Sequence, residues 1–179
     1  MQHEAMVEML KSLKLHGMVQ ALGELAAQDS PAYQPAVAIL SRLLKAELTE
    51  REVRSLAYQM KVARLPAYRD LTGFDFSCSE ANEALVRQLH RCEFLESAHN
   101  IVLVGGPGTG KTHLGTAIGV QAVEHHHRRV RFFSTVERVN ALELEKISGT
   151  PGHLATRLMY ADLVILVYSV YRQQDSMLR

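Results

Sequence analysis

Cysteine is scarce in this chain. Cys78 and Cys92 sit 14 residues apart with no second pair, which argues against a disulfide framework and against a structural zinc site. Both read as buried small residues. No apolar run reaches the roughly 20 residues of a membrane-crossing helix, and the stretch Leu163 to Val167 falls far short of it. The start, Met1-Gln2-His3-Glu4, lacks a basic segment followed by an apolar one. No secretory signal is therefore visible, and a soluble, cytoplasmic protein is expected. Internal repeats and low-complexity tracts are absent as well. What is present is 179 residues, 47% apolar and 22% charged. That suits one ordinary domain, or a small domain with a helical region, and excludes a wholly disordered chain. The net charge of +1 hides an asymmetry, because residues 42–69 carry seven basic side chains against three acidic ones.

Residues 1 to about 95 read as helices. Met6, Met9, Leu10 and Leu13 recur at helical spacing, and Gly17 interrupts before Val19, Leu22 and Leu25 resume it. Asp29-Ser30-Pro31 is a break. Ala36, Ile39, Leu40, Leu43 and Leu44 then follow the pattern of an amphipathic helix, and helix continues from Thr49 to about Leu65, where Pro66 stops it. Leu71 to Cys78 is turn-like, and Ser79 is placed to cap a helix carrying Ala84, Leu85 and Leu89. The texture changes at Asn100. Ile101-Val102-Leu103-Val104 predicts a buried parallel strand, followed by a helix from Lys111 to about Glu124 and a strand at Val130–Phe133. A helix at 135–147, a short helical piece through Leu154 and Leu158, and a strand at Leu163–Val167 complete an α/β order of doubly wound type.

Gly105-Gly106-Pro107-Gly108-Thr109-Gly110-Lys111-Thr112 satisfies G-x-x-x-x-G-K-[ST] at every fixed position. Glycines let such a loop turn tightly with its N–H groups pointing inward, so that they cradle phosphate oxygens. The loop opens onto a helix N-terminus, which favours an anion. Lys111 is the residue to reach the β- and γ-phosphates of a bound nucleotide, and the Thr112 hydroxyl is the candidate ligand of Mg²⁺.

The run from Asn100 through the loop to His113-Leu114-Gly115-Thr116-Ala117-Ile118-Gly119 resembles the ATP-binding core of IstB-like transposition helper proteins. These are AAA+ ATPases of insertion sequences, similar to the DnaC helicase loaders. The resemblance takes in Leu13 to Met18, Ala63-Arg64-Leu65-Pro66 and Phe74-Asp75-Phe76, and runs on to Tyr160–Leu166, about residues 8–166 in all. Together with the change of texture at Asn100, it implies an N-terminal all-helical domain (1–95) followed by an incomplete P-loop NTPase, or AAA+, parallel-sheet core (96–167), whereas the tail at 168–179 resembles nothing in the family and reads as aberrant. It further implies ATP and Mg²⁺ as ligands, and DNA, the transposase of the same element and a homo-oligomer as partners.

The family's third strand ends in an acidic pair that supports Mg²⁺ and polarises the attacking water. Here Val167 and Tyr168 stand in that place. Asp162 lies five residues upstream, about 16 Å along an extended strand and at the wrong end of it, so it reads as the residue leading into the strand. Nothing positions Asp175. The change of texture after Leu166 is what a frameshift in a mobile element would leave, so a truncated ATPase with doubtful hydrolysis is expected. The resemblance also places the fourth strand of an AAA+ sheet between the first and third. Without it, the Ile101 and Leu163 strands lack their common neighbour and present an aggregation-prone edge.

On one helix, Arg51, Arg54, Tyr58 and Lys61 fall within about 80° of one another, with Val53, Leu56 and Met60 opposite. This face either tracks a DNA backbone through phosphate contacts or is a solvated helix surface. Three successive histidines, His125 to His127, point about 100° apart on a helix and read as a solvated helix end. His113 is placed either near the nucleotide or in packing. Two other functions stay open: a helicase-loader ATPase of replication, distinguished by genomic context, and a DNA- or protein-binding module with a dead nucleotide site.

Overall fold

A computed structural model describes residues 2–28, 31, 33–149 and 152–168. Asp29, Ser30, Thr150, Pro151, Asp175 and the tail beyond Tyr168 lie outside them. The chain divides into two compact units, residues 1–55 and 56–179.

The first unit is helical. α1 (Gln2–Ser12) and α2 (His16–Ala27) are separated at Lys14, which adopts a left-handed φ of 61°. The interruption thus falls three residues before Gly17, which sits inside α2. α3 (Tyr33–Ala63) begins in this unit and contributes its last turns to the second. Met6, Leu10, Leu13, Leu22, Val37 and Leu44 form the buried seam, each worth about 1.5–3 kcal/mol of transfer free energy. The face of α3 that packs is Val37, Leu40, Leu44 and Leu48. Ile39 and Leu43, counted with the apolar face from their spacing, point to solvent. A helix crowded with apolar residues fits two overlapping stripes, and the neighbours α1 and α2 select one of them.

In the second unit α3 ends at Ala63, because Arg64 turns left-handed (φ 54°) and Pro66 follows. A 3₁₀ turn (Phe76–Cys78) precedes α4 (Glu83–His90). Asn82, not Ser79, caps α4: its side chain accepts from the Leu85 N–H at 3.0 Å, whereas the Ser79 hydroxyl accepts from the Ala81 N–H. α5 (Lys111–Glu124) is buried along most of its length. β1 (Val130–Ser134), α6 (Thr135–Ile147), α7 (His153–Met159) and β2 (Leu163–Val167) follow as expected. β1 and β2 pair in parallel with Val130 opposite Leu163 and Ser134 opposite Val167. α5 lies against this sheet so closely that a Cβ on Gly119 would sit 2.8 Å from Ile165 Cδ1. Ala63, Cys92, Ile118, Ala122, Val123 and Val130 form the core beneath.

One expectation fails. Ile101–Val104 forms no strand, and the sheet of the described residues has two strands rather than three. Strand geometry needs a ladder partner, yet β2 pairs with β1 alone. Val102 and Val104 are left 81% and 90% exposed. The architecture is an N-terminal helical region with a partial P-loop NTPase core. No helix of the described residues is long and apolar enough to cross a membrane.

Candidate nucleotide site

The loop from Gly105 to Thr112 leads into α5, with Gly108 and Gly110 at φ of 77° and 85°. Both values lie in the left-handed region that side chains resist, so glycine is favoured at both turning points of the loop. Thr109 Oγ1 donates to the Gly106 carbonyl at 2.9 Å. The Lys111 ammonium donates to the same carbonyl and, at 3.2 Å, to Thr109 Oγ1. The lysine is therefore folded over its own loop, on neutral acceptors. Charged phosphate oxygens are stronger partners than these and compete favourably for it. Thr112 is exposed in the first turn of α5. The donor set suits a polyphosphate, and a hydroxyl beside it suits a hard cation.

A cleft of about 1080 Å³ runs beside the loop, bounded by Gly108, Lys111 and Thr112 on one side and by Ile165 and Val167 on another. Val167 is pinned at the carboxyl end of β2, where its carbonyl accepts from Thr135 Oγ1 at 3.0 Å. Tyr168 follows it, exposed. Among the described residues lining the cleft, Asp162 is the one carboxylate, and it is occupied elsewhere. Its Oδ2 accepts from the Arg129 backbone N–H (2.8 Å) and Nε (3.1 Å), and its Oδ1 from Arg129 Nη2 (2.8 Å). The Asp162 N–H returns a bond to the Arg129 carbonyl at 2.8 Å. These bonds to Arg129 hold the carboxyl down at about 2. Asp162 thus staples the amino ends of β1 and β2 together.

Behind the loop, the ring of Phe74 rests on Gly110, where a Cβ would collide with it. His113 Nε2 donates to the Asp70 carbonyl at 2.9 Å, and its ring meets Phe74 edge to face at 5.3 Å. His113 therefore packs behind the loop. The pairing of Phe74 with Gly110 joins positions 36 residues apart in the chain, and no local spacing signals it.

Arg51, Arg54, Tyr58 and Lys61 all lie exposed on α3. Acidic neighbours temper the basic face. Arg51 Nε pairs with Glu47 at 2.7 Å, and Arg54 reaches Glu47 and Glu50 at 3.5 Å. The hydrogen bond from Arg51 lowers the Glu47 carboxyl below its usual range. Opposite them, Leu56 and Met60 pack into the core, but Val53 is exposed. The histidine run lies where α5 ends: His127 turns left-handed (φ 51°), and the Arg128 N–H closes onto the Ala122 carbonyl at 2.8 Å. Cys92 is buried, its thiol pushed up to about 11 by desolvation. Cys78, expected inside, is exposed, because the short turn that carries it leaves its side chain in solvent.

Residues 8–176 match the family of IstB-like ATP-binding proteins. The chain belongs to that family. The match runs past Leu166, where the resemblance read from the sequence stopped. An ATP-binding protein of insertion sequence IS21 from Pseudomonas aeruginosa is 34% identical over 164 residues, covering 91% of this chain and 60% of the relative. One of IS5376 from Geobacillus stearothermophilus is 32% identical over 123 residues, covering 68% and 47%. An IS21-like relative from Bacteroides fragilis is 29% identical over 163 residues, covering 90% and 81%. The chain thus spans about half to three-fifths of the first two relatives' lengths.

Proposed function

We propose that this IstB-like chain binds Mg·ATP on the loop Gly105–Thr112 and acts as the nucleotide-dependent helper of the transposase encoded by the same element, on DNA. The loop carries the reading: two glycines at left-handed φ, a helix N-terminus and one ammonium converge at a single place. Gly105, Gly106, Pro107, Gly108, Thr109 and Gly110 offer the backbone cradle, Lys111 the charge for the β- and γ-phosphates, and Thr112 the hydroxyl for Mg²⁺. When bound, the cation neutralises charge between the phosphates. DNA contact is assigned to Arg51, Arg54, Tyr58 and Lys61, whose exposure on α3 supports it. Phosphates would replace Glu47 and Glu50 as partners of the arginines. Calorimetry of the purified chain with Mg·ATP tests the nucleotide reading. Lys111→Ala should weaken binding by about 1.5–3 kcal/mol, roughly 10- to 150-fold. Equal affinity in a folded Lys111→Ala variant would show that the loop is not the site.

A further inference from the structure

The segment Asp70–Phe76 lies outside the loop motif, yet it touches the loop and the helix behind it at separate points. Leu71 is buried in one cluster with Leu114 and Ala117 of α5, which roots the segment. The Asp70 carboxylate accepts from Thr72 Oγ1 (2.8 Å) and the Gly73 N–H (3.0 Å), so the turn is fixed. In that turn the Asp70 carbonyl accepts from His113 Nε2 at 2.9 Å. Phe74 is held between His113, at 5.3 Å, and Phe76, at 4.8 Å, both edge to face. The Arg87 guanidinium of α4 lies 5.7 Å over Phe76. The ring so fixed closes against Gly110, the residue at φ 85° on which the loop turns into α5.

Glycine at such a position is free to leave the left-handed region, since it has no side chain to restrict it. A loop that leaves it loses the convergence of its N–H groups, and must be re-ordered each time a ligand binds. A ring packed on Gly110 removes that freedom in advance, and a site ordered beforehand binds more tightly.

We infer that residues 70–76 are a positioning element of the phosphate loop, with Phe74 and His113 holding Gly110 and the first turn of α5 in the binding conformation. The inference rests on the loop being the nucleotide site. Neither residue is assigned contact with the ligand, so the effect belongs to the phosphate cradle itself.

The test uses two probes on the full chain, Mg·ATP and inorganic tripolyphosphate, with Lys111→Ala as the control. Releasing about one backbone residue predicts that Phe74→Leu weakens both probes about five- to thirtyfold. His113→Ala should cost about fivefold on both. His113→Gln, whose amide still donates to the Asp70 carbonyl, should return to within about twofold of the parent. Circular dichroism and the thermal midpoint without ligand establish that each variant is folded. Should Phe74→Leu unfold, the two His113 variants decide the matter between them. Binding that is sensitive to Lys111→Ala but unchanged in the Phe74 and His113 variants overturns this inference alone. So does a loss seen with Mg·ATP and not with tripolyphosphate, since the ring would then act on the rest of the nucleotide. A parent chain that binds neither probe overturns the nucleotide reading, and this inference with it.

Discussion

Replacing Asp162 by Asn separates two roles that a lone acid beside a P-loop strand can have. Its carboxylate takes three bonds from Arg129 and sits at about 2 instead of its ordinary 3.8. Taken at face value, that difference is about 2.5 kcal/mol. The Arg129 side chain is 56% exposed against 28% for Asp162, so solvent screening reduces the figure to about 1–1.5 kcal/mol. The folded-state value is depressed. The contribution is therefore present above the unfolded value near 4 and is lost as pH falls toward 2, about half of it being gone at pH 3. Urea titrations of the parent and Asp162→Asn from pH 7 down to pH 3 should show a gap that narrows on that schedule. Mg·ATP affinity should stay within about twofold, because the staple lies at the amino end of β2, about 16 Å from the end beside the loop. A pH-independent gap would refute the ionic account of the staple. A loss of Mg·ATP affinity in the folded variant would make Asp162 a metal-supporting carboxylate and refute its assignment as a strand staple.

Replacing Arg51, Arg54 and Lys61 by Gln should weaken DNA binding on any sequence and reduce the slope of log affinity against log salt by up to about three phosphate charges. An unchanged slope would return the face to plain solvation. Glu47→Gln should act in the opposite direction and strengthen binding, since it frees Arg51 and Arg54 from a competing carboxylate. Turnover of ATP should stay near background with or without DNA, since Val167 and Tyr168 supply no carboxylate at the end of β2. Robust phosphate release that Lys111→Ala abolishes would contradict this. Val102→Lys with Val104→Thr should lower aggregation in light scattering without changing the thermal midpoint, as both side chains are already in solvent. Unchanged scattering would clear this segment as the cause.

The loop and the elements around it were legible in the sequence because their signals are local. A fixed spacing of glycine, lysine and threonine specifies a turn into a helix, so Gly105–Thr112 and α5 from Lys111 to Glu124 could be read from neighbouring residues alone. The bounds of α6 and β2 followed equally from apolar periodicity and turn residues. Where two placements were locally equivalent, only the packed chain decided. Val37 rather than Ile39 faces the core of the first unit because α1 and α2 cover that side of α3. Asn82 caps α4 in place of Ser79, since the chain between them forms a turn that occupies the serine hydroxyl. Ile101–Val104 has every local property of a strand and is none, because ladder bonds come from a neighbour that no local pattern supplies. The meeting of Phe74, Gly110 and His113 belongs to the same class: contacts between segments far apart in the chain exist only once α5 is seated on Leu71.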